Sequence, residues 1–249
     1  MNALIMSRSK MGKTYALNTL PKPLIIQSTD PGGWTTICKK DQVAEPGDWD
    51  TIYNILERDG ICAVDYLKSS NTISAGHIAS AGYMRYQIGM TQFVNDCNHI
   101  INPKNDKIKS FSQDTLTGLS RMMKGFICSK SGKMYLSQQL WGDAIEKILE
   151  IIECCCASNK NYVLNCHIQL EQNILDGGTE EFPLIFGKQL PQNILALFDI
   201  VFGGAYEDGK YWWRTHPSEF NKSLGSRLHN AEELDTLIPQ DFNLLWKEV

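Results

Sequence analysis

The run Ser7-Arg8-Ser9-Lys10-Met11-Gly12-Lys13-Thr14 limits this chain to few folds. It satisfies G-x-x-x-x-G-K-[ST] at every position except the first, where serine replaces glycine. Its surroundings are those the motif needs. Ala3 to Met6 is a short apolar run that predicts a buried strand, and Lys13 to Leu20 predicts a helix stopped by Pro21 and Pro23. In such a strand-loop-helix unit Gly12 lets the backbone approach a phosphate, and successive N–H groups at the helix N-terminus favour the anion. Lys13 would bridge the β- and γ-phosphates of ATP, and Thr14 would ligate Mg2+. Ser7, Arg8, Ser9, Lys10, Met11, Gly12, Lys13 and Thr14 are thus the candidate nucleotide contacts, with Lys13 also a catalytic candidate. Ser7 must accept backbone geometry that glycine adopts freely, which predicts weaker binding than the full motif gives.

Beyond the loop the pattern alternates. Leu24–Ser28 predicts a second buried strand that ends at Asp30, before the breaker Pro31-Gly32-Gly33. Asp48–Asp59 is helical in spacing, Ile61–Val64 reads as a strand, and residues 66 to 86 carry no clear period. Gly89–Ile101 predicts a helix, Ile108–Asp114 a strand, and a further helix begins after Thr117. Asp143–Cys155 predicts another helix and Tyr162–Cys166 a buried strand. From Asp199 the chain reads as a hairpin turning at Glu207-Asp208-Gly209-Lys210, and Ala231–Val249 is mixed with a helical end. Within the hairpin Tyr211, Trp212 and Trp213 could stack bases, and their alternation predicts that part of this aromatic run is core. The expected architecture is one α/β domain over residues 1 to 249, with a mainly parallel sheet flanked by helices and a C-terminal antiparallel hairpin.

At 249 residues and 43% hydrophobic content the chain can bury a sizeable core. A formal net charge of −4 gives no global basic field, so any nucleic-acid contact must come from a local patch or from repetition in an oligomer. The eight cysteines are scattered, and Cys154, Cys155 and Cys156 are consecutive, which fits a reduced protein better than a disulfide scaffold. No apolar run is long enough to span a membrane, so a soluble cytoplasmic protein is expected. A phosphate-binding loop of this type also calls for a second Mg2+-orienting carboxylate at a neighbouring strand end. Asp65 and Asp114 compete for the role, and hydrophobicity alone favours Asp65, because Ile61-Cys62-Ala63-Val64 is a better buried strand than IKSFSQ.

The segments DTLTGLSRMM, LSQQLWGDAIEKILEII and NYVLNCHIQLEQN, with STDPGG, FDIVF and SLGSR, resemble the phage-encoded RecA-like P-loop ATPase family. These AAA-type ATPases include single-strand-annealing recombinases. The resemblance spans nearly the whole chain and implies a RecA-like fold. It makes Asp114 the metal-orienting acid and Asp65 a strand-end or surface acid. It makes Asp30 the acid that polarises the attacking water, and His167 with Gln169 a sensor of the γ-phosphate. Residues 171 to 188, with Gly177, Gly178 and Gly187, become a responsive mobile loop, although Glu171, Asp176, Glu180 and Glu181 against Lys188 make it acidic for a DNA contact. Lys222 and Arg227 correspond to a late basic segment able to reach a neighbour's ATP, with Gly225 standing where a lysine is usual.

The function this implies is ATP binding and Mg2+-dependent hydrolysis in phage-type DNA recombination or single-strand annealing. The expected partners are ATP/ADP, single-stranded DNA and further copies of the chain, in the host cytoplasm if phage-encoded. A non-hydrolysing nucleotide-binding assembly partner and a small-molecule P-loop kinase are the alternatives. The arginines Arg58, Arg85, Arg121, Arg214 and Arg227 are too dispersed to form the lid a kinase uses.

Overall fold

A computed structural model describes residues 1–30, 32–67, 78–132, 135–172, 179–187, 190–219, 221–228 and 234–245, with backbone only for 78–87. Pro31, Asp176, Gly177, Gly178 and Lys188, and much of 66 to 86, fall outside what is described.

The first half contains β1 (Asn2–Met6), α1 (Lys13–Ala16), β2 (Leu24–Ser28), β3 (Val43–Ala44), α2 (Trp49–Asp59), β4 (Ile61–Asp65), α3 (Ile78–Ile101), β5 (Ser110–Asp114) and α4 (Leu116–Ser131). The second contains α5 (Gln138–Cys156), β6 (Asn161–Cys166), β7 (Ile168–Gln172), β8 (Thr179–Pro183), α6 (Leu190–Leu195), β9 (Ile200–Glu207), β10 (Lys210–Arg214), β11 (Gly225–Ser226) and β12 (Leu237–Pro239). The main sheet runs β12-β10-β9-β1-β6-β5-β2-β4-β3, with β11 also paired to β9. From β9 to β3 every neighbour is parallel, while β10, β12 and β11 are antiparallel additions. This is the mostly parallel mixed sheet, flanked by helices, of a RecA-like P-loop NTPase fold.

Alternation along the strands builds two cores. Leu4, Met6, Ile25, Phe111, Leu164 and Cys166 face α2 to α6. Ala3, Ile5, Leu24, Ile26 and Val163 face the other way, against Leu17, Trp213 and Phe242. Ala144, Ile148, Ile152 and Cys155 are the buried stripe of α5 at helical spacing. Each such large side chain contributes about 1.5–3 kcal/mol by leaving water.

Helix starts follow side-chain caps. Asp48, Thr115 and Ser137 accept from the backbone N–H groups of Thr51, Gly118 and Leu140. Two sequence expectations shift accordingly, since α4 begins at Leu116 rather than after Thr117 and α5 begins five residues before Asp143. The P-loop helix is shorter than expected, because α1 gives way at Leu17–Thr19 to a 3-10 turn. The chain after Ala231 contains β12 and a 3-10 turn at Phe242–Leu244, and no α-helix among its described residues. Ile168–Gln172 and Thr179–Pro183 pair antiparallel as the β7–β8 hairpin, reaching into residues 171 to 188 where a loop was expected, with residues 173 to 178 outside the described set.

The strand least expected from composition is central. All five residues of β5, Ser-Phe-Ser-Gln-Asp, are buried. Its Gln113 accepts from the Tyr162 hydroxyl at 2.7 Å and donates to Gln27 Oε1 at 3.5 Å. Gln27 donates to the Tyr66 hydroxyl at 3.0 Å, and that hydroxyl donates to Asp96 at 2.9 Å. A chain of satisfied polar groups thus crosses the sheet one residue below the strand ends that bear Asp114 and Ser28, which offsets the cost of burying them.

Candidate nucleotide-binding site

At the C-terminal ends of β1, β2, β5 and β6 lies a cavity of about 680 Å3. Its wall is formed by the loop Ser9 to Thr14 on one side and by Asp30, Gly33, Asp114, Thr115 and His167 on the other. Gly12 has φ +80°, and a Cβ there would collide with the Gln240 side chain, so only glycine fits. Gln240 pins the loop from outside, donating from Nε2 to the carbonyls of Met11 and Trp212, both at 3.0 Å.

Lys13 is buried within the loop, with 5% of its surface exposed. Its ammonium donates to Ser7 O at 3.0 Å, Ser7 Oγ at 3.0 Å and Arg8 O at 2.8 Å. Burial pulls its pKa below the ordinary lysine value, against the opposing pull of Cys166, Asp114 and Asp30. Ser7 and Arg8 therefore hold the lysine rather than line the cavity.

Ser7 carries no backbone penalty, because it is not among the residues with positive φ. Its Cβ is accommodated across the sheet, where an added Cβ at Gly204 would come within 2.6 Å of it. The serine at the first motif position thus has a partner glycine on β9. Gly204→Ala is expected to cost about 1–3 kcal/mol by overpacking. Adding Ser7→Gly should recover most of that loss, whereas Ser7→Gly alone should cost about 1 kcal/mol for the lost lysine acceptor. Urea unfolding of both single variants and the pair measures this coupling, and strictly additive losses would contradict it.

Thr14 Oγ1 donates to Asp114 Oδ2 at 2.8 Å, and Asn165 Nδ2 donates to Asp114 Oδ1 at 3.2 Å. Burial raises the Asp114 pKa above the usual carboxylate range, partly countered by these two donors. A hydroxyl and a carboxylate side by side beneath a phosphate loop are hard oxygen donors of the kind Mg2+ takes, so the residues present fit that ion. Asp65 has other work. Its Oδ2 accepts from Trp34 Nε1 at 2.9 Å and its Oδ1 from Leu67 N at 3.0 Å, and it does not line the cavity.

Asp30 accepts from the Thr115 hydroxyl at 3.1 Å, and His167 Nε2 lies 3.6 Å from the same oxygen. The imidazole does most to hold Asp30 below the usual carboxylate range, burial opposes it, and the Thr115 hydroxyl adds to the lowering. His167 also stands at the base of the β7–β8 hairpin. Its N–H donates to Thr117 Oγ1 at 3.3 Å and its carbonyl accepts from Leu184 N at 2.6 Å.

Residues 1–224 match the model of the AAA domain family. The chain belongs to the AAA domain family. Among solved structures, this AAA domain is similar to a prototypical ATPase from the type III secretion system of pathogenic bacteria. The two are 11% identical with a TM-score of 0.38, over 82% of this chain and 52% of that one. The AAA domain spans about half the length of that ATPase. No curated protein matches the sequence significantly. Family membership supports an ATP-binding P-loop ATPase, and no helix among the described residues is long and apolar enough to cross a membrane.

Other predicted residues of the AAA domain lie elsewhere. Gln169 donates to Glu171 at 2.7 Å on the hairpin, and Lys222 pairs with Glu180 at 2.9 Å. Arg227 follows Ser226, which pairs with Ile200 at the start of β9, the opposite end of the sheet from the P-loop, and its guanidinium donates to Ala196 O at 2.8 Å. The sequence missed Tyr15, Thr115 and Gln240, and it named Tyr211 as able to stack a base without placing it beside the P-loop. Tyr15 directly follows the motif and so was open to notice, but Tyr211 and Gln240 reach the loop only because β9 joins β1 and β12 joins β10.

Proposed function

We propose that the chain binds Mg·ATP in this cavity and hydrolyses it, passing nucleotide state to the β7–β8 hairpin in work on single-stranded DNA of the phage-recombination kind. The supporting observation is the convergence of Lys13, the Thr14–Asp114 pair and the Asp30–Thr115–His167 cluster on one cavity. Mg2+ held near Thr14 and Asp114 would neutralise phosphate charge. The ammonium of Lys13, already surrounded by loop acceptors, would turn to phosphate oxygens, and backbone N–H groups around Gly12 would stabilise the charge developing there. Asp30, kept ionised by its neighbours, would accept a hydrogen bond from the attacking water and orient it. His167 would then report the presence of the terminal phosphate to the hairpin through its own backbone bonds to Thr117 and Leu184.

The cavity also has a direction. Asp30 and His167 mark the terminal-phosphate end, so the nucleoside would extend toward Tyr15 and Tyr211. Both rings are open, with 63% and 46% of their surface exposed, and Tyr206 backs Tyr211 at 5.0 Å between centroids. Tyr211→Ala should raise KM for ATP roughly tenfold with kcat changed less than about threefold, since stacking on the base is uniform binding. A fall in kcat at unchanged KM would place the base elsewhere.

Phosphate release with and without single-stranded DNA tests the function as a whole. Turnover that DNA accelerates is expected. ATP binding without any turnover would favour a non-hydrolysing assembly role, and phosphate transfer to a metabolite would favour a kinase.

A further inference from the structure

The parallel strands all point the same way, so the sheet has two chemically distinct edges. Asp30, Asp65 and Asp114 stand at the C-terminal edge with the nucleotide cavity. The hairpin beside it is acidic as well, through Glu171, Glu180 and Glu181. At the N-terminal edge the sign reverses. Lys22 precedes β2, Lys39 and Lys40 precede β3, and Lys104, Lys107 and Lys109 precede β5, all six exposed. Asp41 and Asp59 at this edge share the single guanidinium of Arg58, at 3.6 and 2.6 Å, and with Glu57 and Asp106 they set four carboxylates against the six lysines and Arg58, which leaves this group of described residues positive. Because β5, β2, β4 and β3 are consecutive and strands lie about 4.8 Å apart, these lysines extend over roughly 14 Å of sheet.

Within that face is a hollow of about 260 Å3 whose walls include Tyr53, His99, Asn102, Lys104 and Lys107. The Tyr53 hydroxyl lies 2.7 Å from His99 Nε2, Trp49 stacks on His99 at 3.8 Å, and Lys107 Nζ sits 4.5 Å from the Tyr53 ring centre. The lining combines a rigid aromatic wall, the side-chain amides of Asn102 and Asn105, the ammonium groups of Lys104 and Lys107 and one carboxylate, Asp106, and its excess of positive charge suits one unpaired base with phosphates on either side. A duplex offers no such base.

We propose that the N-terminal edge of the sheet is a single-stranded nucleic-acid surface, with the lysines tracking the phosphates and the Tyr53–His99 hollow receiving a base. It rests on the nucleic-acid partner proposed above but not on hydrolysis, and it places that partner on the face opposite the nucleotide. Fluorescence anisotropy of a labelled oligothymidylate against the full chain tests it. Wild-type affinity should fall roughly tenfold between 50 and 200 mM salt, and the charge reversal Lys107→Glu with Lys109→Glu should weaken binding by roughly tenfold or more. Tyr53→Leu, which keeps apolar packing, should weaken it by roughly fivefold or more. A blunt duplex or heparin should bind less well than the single strand. Unchanged binding in the lysine variant overturns the surface, and equal or tighter binding of duplex or heparin overturns its preference for unpaired bases. Phosphate release without DNA should be unaffected by the lysine changes. Loss of turnover in wild-type protein that still binds oligothymidylate through these lysines would count against hydrolysis and leave this surface standing.

Discussion

Lys13→Ala should lower ATP turnover by about a hundredfold or more and weaken ATP binding with it. The reason lies in where the ammonium is held. It is buried, already desolvated, and presents its three hydrogens to Ser7 O, Ser7 Oγ and Arg8 O, so its charge acts in a low-dielectric setting where each phosphate contact is strong. Removing it also leaves those acceptors without their donor, which should cost about 1–3 kcal/mol of stability without unfolding the sheet. Circular dichroism and a thermal melt separate that loss from the functional one. Lys13→Arg provides a second check, because it keeps the charge but cannot reproduce the compact threefold contact, and it too should be impaired. A Lys13→Ala protein that binds and turns over ATP like the wild type would remove the P-loop assignment.

Asp114→Asn should reduce Mg2+-dependent turnover by roughly a hundredfold, while Asp65→Asn should stay within about threefold of wild type. Asp114 touches Thr14 and faces the cavity, whereas Asp65 ties Trp34 and the Leu67 backbone together away from it. The two substitutions should also differ in stability. The Asp114 pKa is raised in the folded chain, so folding takes up a proton, and stability falls as pH rises from the unfolded carboxylate value toward the raised one. Asparagine removes that cost but has one oxygen for the two donors Thr14 and Asn165, so Asp114→Asn should stay within about 1 kcal/mol of wild-type stability at neutral pH, with a flatter pH dependence. Asp65→Asn loses part of a satisfied bond pair and should cost about 1 kcal/mol. The reverse ranking in turnover would show that the apolar strand Ile61–Val64 marks the metal-orienting acid after all.

These two acids also show how far the sequence could be read. The apolar runs of β1, β2, β4 and β6 were legible because each is buried on both faces and needs hydrophobic side chains throughout. β5 was legible as a strand but not as a buried one, because Ser110, Ser112 and Gln113 are buried polar groups, and the partners of Gln113, Tyr162 and Gln27, stand 49 and 86 residues away. Hydrophobicity therefore chose the wrong strand for the cavity, and only resemblance to a family favoured Asp114. The P-loop was legible as a local pattern, but its serine was read as a defect when Gly204, on a strand nearly two hundred residues later, makes room for it. Burial of Lys13 went unread although its acceptors, Ser7 and Arg8, are local, because a motif pattern does not show that the loop folds back around its own ammonium. Alternation predicted that part of the run Tyr211-Trp212-Trp213 is core, which Trp213 fulfils, yet could not tell that Tyr211, two residues earlier on the same face, lies beyond the core and packs over Gly12.

Phosphate release by the purified full chain, followed with Mg2+ and then with excess EDTA, tests most directly whether this one cavity binds Mg·ATP and hydrolyses it. Sustained release of phosphate from ATP that stops on chelation, and that Asp30→Asn abolishes while a fluorescent ATP analogue still binds, is the predicted result. Phosphate release that persists in EDTA or in Asp30→Asn, or no release at all under conditions where ATP binds, would contradict it.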